Sequence, residues 1–270
     1  MEHEHLSTLF SPKTIALVGA SGTAGKVGNI VLGYLERSGA ELFLVNPRGG
    51  SIGGRKVYPS PSDLPEGLDL AVISIGAEAA VEAAEILSRK GTAFIIIIAG
   101  GFGEVGGEGK ILEDRLKGLT EVYCSRILGP NSLGVFCPAS GLDTIFVEHG
   151  DQALASGGGI AFITQSGSVG VESLGLASNA GFGMRAFVGT GNKADLNEHD
   201  FLDYFGKDSG TSCLAFYLES IEGGRGFLLE AGRVASKKPV VVLKAGRTEA
   251  GVAAVSSHTG RLAGSDNVVD

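Results

Sequence analysis

Two short segments carry residue types that handle phosphate. Gly19-Ala20-Ser21-Gly22-Thr23-Ala24-Gly25-Lys26 follows the apolar run Ile15–Val18 and precedes a helical pattern. Its glycines permit a tight turn and close approach of backbone to a ligand, and the helix that follows offers N–H groups to an anion. Lys26 adds a point charge beside the hydroxyls of Ser21 and Thr23. The spacing of Gly19, Gly22 and Gly25 is only loosely a dinucleotide fingerprint; its place directly after the first strand gives it weight. Gln165-Ser166-Gly167-Ser168 repeats the arrangement after the apolar run Gly159–Ile163 and opens another helical pattern. A helix start carries roughly half a positive charge. Ser168 would also serve as a plain helix cap.

The end of the second strand bears on which nucleotide the first loop would hold. A plain NAD site wants an acid about 20 residues past the glycines, on the ribose hydroxyls. Here the segment reads Val45-Asn46-Pro47-Arg48-Gly49-Gly50. A cation in that place suits a ligand with phosphate on its ribose, and both NADP and coenzyme A carry one. The residues alone leave these two level.

Of the five histidines, His3 and His5 lie in a polar N-terminal tail that is expected to be mobile, while His149 and His199 have no partner at metal-ligand spacing. These four read as surface or structural residues, and no metal site is expected. His258 sits among small residues in Ala254-Val255-Ser256-Ser257-His258-Thr259-Gly260. An imidazole with an ordinary pKa of about 6.5 can act as a covalent nucleophile, although a lone loop histidine is by itself unremarkable. Glu219 ends an apolar run and Asn131 follows a proline. Taken singly, these are a solvent-facing acid and a turn former.

The elements that would position these residues alternate regularly. Thr14–Val18, Leu42–Val45, Leu70–Ile75, Phe94–Ile98 and Val122–Leu128 are near-continuous apolar runs, as strands buried on both faces require. Gly28–Ser38, Ala77–Lys90 and Glu108–Gly118 read as helices between them. The order predicts an α/β fold whose first domain is a Rossmann-like parallel sheet. From Cys137 to Gly159 the periodicity fades, which places a boundary near Gly150 and domains at 1–149 and 150–270. Strands Gly159–Ile163, Met184–Val188, Cys213–Leu218 and Val240–Leu243 then alternate with helices Ser168–Ala180, Asp200–Phe205 and Gly224–Ser236, a flavodoxin-like second domain. Ser265 would cap a helix that has barely begun at Asp270, which suggests part of a larger protein.

Composition excludes several classes. The net charge of −8 argues against a nucleic-acid partner. The longest apolar run, Ala93–Ala99, is too short to cross a bilayer, and the N-terminus lacks the pattern of a signal peptide. Three cysteines without CxxC or zinc spacing fit a reducing compartment. A cytoplasmic protein is expected.

The segments GASGTAGKVG (Gly19–Gly28), LVNPRGG (Leu44–Gly50) and LGPNSLG (Leu128–Gly134) together resemble the CoA-binding domain of nucleoside-diphosphate-forming acyl-CoA synthetases, relatives of the succinyl-CoA ligase α subunit. The resemblance continues in order through ITQSGSVG (Ile163–Gly170), VGTGNKAD (Val188–Asp195), YLESI (Tyr217–Ile221), PVVVLKAGRT (Pro239–Thr248) and SSHTGRLAGSD (Ser256–Asp266). It implies a succinyl-CoA-ligase-type second domain. It places CoA against Gly19–Gly25, Lys26, Asn46, Pro47, Arg48, the strand ends at Ser74–Gly76, and Ala99, Gly100 and Gly101. It also implies phosphate at Gln165–Ser168, phosphorylation of His258, Glu219 orienting that histidine, and Asn131 near the CoA thiol and acyl phosphate. The family's ATP-grasp fold, which binds ATP or ADP with magnesium, has no counterpart here, and GxxxxGK[ST] is absent. The resemblance therefore implies a β-type ATP-grasp subunit or further C-terminal domains, a small carboxylic acid as co-substrate, and an oligomer. An NADP-dependent oxidoreductase and a non-catalytic CoA-sensing module are the alternatives.

Overall fold

A chain rich in Ile, Val and Leu runs flanked by glycine must bury both faces of its strands, and this one does so in two sheets. The computed structural model describes residues 6–147 and 157–246. After a short helix α1 (Leu6–Phe10), the first unit contains β1 (Thr14–Val18), α2 (Val27–Leu35), β2 (Glu41–Val45), β3 (Ser51–Ile52), β4 (Arg55–Tyr58), β5 (Leu70–Ile73), α3 (Ala77–Arg89), β6 (Phe94–Ile97), α4 (Gly107–Val122) and β7 (Arg126–Leu128). The second contains β8 (Gly134–Cys137), β9 (Leu142–Asp143), β10 (Gly157–Thr164), α5 (Gly167–Asn179), β11 (Met184–Gly189), α6 (Glu198–Lys207), β12 (Cys213–Leu218), α7 (Gly224–Ala235) and β13 (Val240–Lys244).

The first sheet has the order β3-β4-β2-β1-β5-β6-β7, parallel except for the β3–β4 pair. Counting only its parallel strands, this is the doubly wound order 3-2-1-4-5-6, with the switch point between β1 and β5. The second sheet has the order β13-β12-β10-β11-β8-β9; its first four strands are parallel, and β8 runs antiparallel to β11. Its switch point lies between β10 and β12. Open α/β sheets bind ligands at such points, outside the carboxyl ends of the strands.

Alternation along the strands divides the core. Ile15 and Leu17 of β1 join one cluster with Val31, Leu32 and Leu35 of α2, and that cluster continues into Ile163, Val188, Phe201 and Phe205 of the second unit. Ala16 and Val18 face the opposite way, onto Ala80, Val81, Ala84 and Leu87 of α3. The far face of the second sheet packs Phe162 and Phe187 on Leu174 of α5. The two sheets thus share one apolar layer. That layer also seats α1, where the Phe10 ring stacks 5.2 Å from Tyr204.

Several expectations shift in the structure. The strand expected over Val122–Leu128 is only Arg126–Leu128, because α4 continues through Val122 and replaces the helix expected to end at Gly118. Helix α1, the β3–β4 hairpin and the β8–β9 pair lacked a readable pattern because each is short. The chain passes from the first sheet to the second between Leu128 and Gly134. Residues around Gly150, with His149, lie outside the described residues, as do His3, His5, His258 and the segment Ser265–Asp270.

One half-buried ion pair reports on the second unit. Arg185 in β11 donates through Nε and Nη2 to both carboxylate oxygens of Asp208, at 2.6 and 3.0 Å, and Thr211 Oγ1 donates to Oδ2 at 2.7 Å. The Arg185 guanidinium chiefly, and Thr211 with it, lower the Asp208 pKa to about 2, against the opposing effect of burial. A depressed folded pKa stabilises above the unfolded value of 3.8 and is lost as pH falls toward 2. Asp208→Asn is therefore expected to lose the part of the parent's acid dependence that lies between pH 4 and 2. Melting temperatures over that range check it, and parallel curves for parent and variant would sink it.

Candidate functional site

A loop between β1 and α2 must satisfy its own backbone before it can serve a ligand. Gly19, at φ 97°, and Ala20 both donate their N–H groups to the Val45 carbonyl, at 3.0 and 3.1 Å. Asn46 Nδ2 donates to the Ala20 carbonyl at 2.9 Å while its Oδ1 accepts from the Arg48 N–H at 3.0 Å. Asn46 thus ties the glycine loop to the end of β2. Ser74 Oγ and N both donate to the Val18 carbonyl, closing the switch point from the β5 side. Helix α2 starts after Lys26 with no side-chain cap on its first N–H groups.

These contacts leave a cleft of about 690 Å³ lined by Gly19, Ser21, Gly22, Gly25, Lys26, Asn46, Arg48 and Ser74. All eight were expected from the sequence. Ile75, within the strand end expected at Ser74–Gly76, lines the wall too; Ser51 and Ile52 of the hairpin also join it, and nothing in the local pattern announced those two. Lys26 and Arg48 are exposed, and the lining includes no acid. A helix start, two cations and hydroxyl donors facing one space favour phosphate. Pro47 is exposed beside the cleft and is not part of its lining.

Ala99 and Gly100 lie elsewhere, at the end of β6, where they meet Asn131. The Asn131 N–H donates to the Ala99 carbonyl at 2.9 Å, and Asn131 itself stands at φ 56° after a cis Gly129–Pro130 peptide. Its Nδ2 donates to Asn192 Oδ1 at 3.4 Å. Asn192 Nδ2 in turn donates to Glu104 Oε2 and to Glu113 Oε2, the latter at 2.9 Å. An amide nitrogen has two hydrogens, so both are taken by carboxylates, and this fixes which end of the Asn192 amide faces Asn131. Burial would raise the Glu104 pKa, but Asn192 and the N–H groups of Gly101 and Phe102 outweigh it and hold the carboxyl below its usual range.

The second switch point is built around Gln165. Its Oε1 accepts from the N–H groups of Glu219 and Ser220, at 3.0 and 3.1 Å, and its Nε2 donates to Ser220 Oγ at 3.1 Å. Gln165 and Ser166 are buried, Ser168 is exposed, and Ser166 Oγ lies 3.3 Å from Ser168 Oγ. Gly167 begins α5, so Ser166 is its cap position. Glu219 is buried at the end of β12 rather than facing solvent. His199 is structural, with Nε2 2.8 Å from the Glu222 carbonyl and its ring edge-on to Phe227.

Sequence reasoning missed Glu104, Glu113, Lys193 and Glu198. No local spacing could have exposed the first two, because Asn192 lies 88 and 79 residues away from them.

Fold and geometry together define a two-sheet α/β protein with a strand–loop–helix turn at each switch point, the first of them opening on an acid-free cleft. Residues 13–138 match the model of a CoA binding domain, and residues 157–270 match that of a succinyl-CoA ligase like flavodoxin domain. The chain is 40% identical, over 97% of its length, to the acetate–CoA ligase (ADP-forming) I subunit alpha of Pyrococcus furiosus, and it covers 57% of that protein. It is also 40% identical, over 96% of its length, to acetate–CoA ligase (ADP-forming) I of Archaeoglobus fulgidus, covering 37% of it. Among solved structures it superposes on the dinucleotide forming acetyl-coenzyme A synthetase 1 of Ca. Korarchaeum cryptofilum, determined with phosphate and ADP. The TM-score is 0.90 at 37% identity, over 100% of this chain and 57% of that one. The chain belongs to the nucleoside-diphosphate-forming acyl-CoA synthetase family, and it spans about half the length of the α subunit it matches. The match of the first domain is to a CoA-binding model, which supports coenzyme A over NADP as its ligand class. Among the described residues, no helix is long and apolar enough to cross a membrane.

Proposed function

We propose that the chain is the CoA-binding and phosphohistidine-carrying portion of an ADP-forming acyl-CoA synthetase, completed by a β-type ATP-grasp subunit or domain. The observation that carries this reading is the acid-free cleft at the first switch point, where Lys26, Arg48 and the start of α2 face one space. The unbroken likeness to an acetate–CoA ligase α subunit supports it. CoA supplies the thiol and leaving group.

In the direction of ATP formation, a phosphate oxygen attacks the acyl carbonyl carbon. The C–S bond breaks, the thiol departs with a proton, and an acyl phosphate forms. Asn131 holds the acyl end, and the Gln165–Ser168 helix start offsets phosphate charge. A ring nitrogen of His258 then attacks phosphorus; the N–P bond forms as the P–O bond to the carboxylate breaks. Glu219 accepts a hydrogen bond from the other ring nitrogen, which fixes the tautomer and offsets ring charge. An oxygen of the ADP β-phosphate finally takes the phosphoryl group, with magnesium and nucleotide held by the partner. Positioning and charge stabilisation do most of the work in such transfers.

Two measurements test this. Calorimetric titration should show CoA binding and no NADPH binding; the reverse result would overturn the ligand assignment. Incubation with acetyl phosphate labelled in its phosphoryl group should label the parent and leave His258→Ala at background. Equal labelling of the two would overturn the phosphohistidine role.

A further inference from the structure

The loop that follows β12 is held from outside at several of its backbone groups. Gln165 accepts from the Glu219 and Ser220 N–H groups, as above. Lys193 Nζ donates to the Ser220 carbonyl at 2.8 Å, and Glu198 Oε1 accepts from the Glu222 N–H at 2.6 Å. Lys193 and Glu198 are themselves an ion pair at 2.9 Å, with both side chains 0% exposed.

A buried ion pair is poor evidence of stability, because removing two charges from water costs about what their attraction returns, and a well-packed apolar pair would often serve as well. Here each charge also reaches past its partner to the same short loop. The ammonium takes the carbonyl at Ser220 and the carboxylate takes the N–H at Glu222, so the pair sets both the height and the register of the segment that begins with Glu219. Lys193 stands at φ 56°, a conformation few non-glycine residues adopt. The turn sends Asn192 toward Glu104 and Glu113 while Lys193 runs to Ser220. Residues held in such sparsely populated backbone regions cluster at active sites and ligand clamps.

We propose that Lys193 and Glu198 are positioning residues for phosphoryl transfer, holding the Ser220–Glu222 backbone so that Glu219 is presented at one geometry to the group it orients. This rests on the reading of Glu219 and His258 given above.

The test compares Lys193→Met with the double variant Lys193→Met/Glu198→Gln. The single change strands a buried carboxylate and is expected to destabilise the fold. The double change removes both charges at similar volume and should regain stability. CoA affinity at the distant glycine loop should stay within about twofold of the parent in the double variant, since distant sites act independently. Its labelling of His258 by labelled acetyl phosphate should still be roughly 10- to 100-fold slower than that of the parent, the scale of misplacing a reacting group. A merely structural pair would recover rate together with stability, and a double variant labelled at the parental rate overturns the proposal. Should the double variant melt below the assay temperature, labelling of parent and double variant is compared at a lower temperature where both are folded, and the same two outcomes decide. A parent that takes no label on His258 would instead overturn the proposed function itself, so the two failures are distinguishable.

Discussion

Gly28→Ala is expected to weaken CoA binding roughly 100-fold, a loss of about 2.7 kcal/mol. A β-carbon at Gly28 would stand 1.9 Å from the Gly19 carbonyl oxygen, 2.9 Å from its carbonyl carbon and 3.3 Å from the Ala20 Cα. Ordinary contacts between heavy atoms lie near 3.5 Å, and the obstructing atoms are backbone, which cannot rotate aside. The Gly19 and Ala20 N–H groups are also pinned to Val45, so the strain falls on the loop or on the start of α2. Either movement separates the cations and helix N–H groups that share the cleft. Overpacking of this kind typically costs about 1–3 kcal/mol. Titration with CoA reads the loss directly, while labelling with acetyl phosphate, which depends on the second switch point, should persist. An affinity within about threefold of the parent would mean that the close approach of α2 to the loop is not needed for binding.

The second large effect is expected from Asn192→Asp, a change of nearly constant shape. Asn192 is buried, and its two amide hydrogens serve Glu104 and Glu113. An aspartate offers no hydrogen and adds a third carboxylate, in a group where Lys117, 3.7 Å from Glu113, is the cation seen among the described residues. Two hydrogen bonds to charged acceptors are lost, at about 1.5–3 kcal/mol each, and repulsion is added. A melting temperature lower by roughly 10 °C near neutral pH follows for a chain of this size. The sign with pH is definite. Mutual repulsion raises the folded pKa values of the variant's cluster above their unfolded values near 4. The penalty is therefore absent below about pH 4 and grows as pH rises through the raised values. In the parent, Glu104 is shifted the other way, so acid removes stability there. Both effects make the gap between the two proteins close on acidification. Melting curves from pH 8 to 4 check this, and a gap independent of pH would sink the account of Asn192 as a shared donor.

The alternation of strands and helices was legible because each long strand is apolar throughout and each helix keeps a wet face. Strand Cys213–Leu218 has the same bounds in the structure as in the sequence reading. The glycine loop was legible because its function requires it to sit directly between a strand and a helix. The β3–β4 hairpin was not, since Ser51–Ile52 and Arg55–Tyr58 are too short for periodicity to show. Yet β4 completes the 3-2-1-4-5-6 order, and β3 brings Ser51 and Ile52 to the cleft wall. Helix α1 escaped notice for the same reason, although Leu9 is fully buried.

By itself the sequence determined the class of fold, the place of both strand–loop–helix turns and, through Asn46 and Arg48 where an acid would otherwise stand, the acid-free end of β2 beside the first of them. Such features are written in neighbouring residues, because turns, helix starts and strand faces depend on contacts within a few positions. Tertiary structure alone decided that Glu104 and Glu113 meet on Asn192, that Gln165 grips the chain at Glu219, and that Lys193 and Glu198 are buried against the same loop. Those meetings follow from two sheets packing around one shared apolar layer, which carries the ends of β6, β7, β10 and β12 toward the loop that joins β11 to α6.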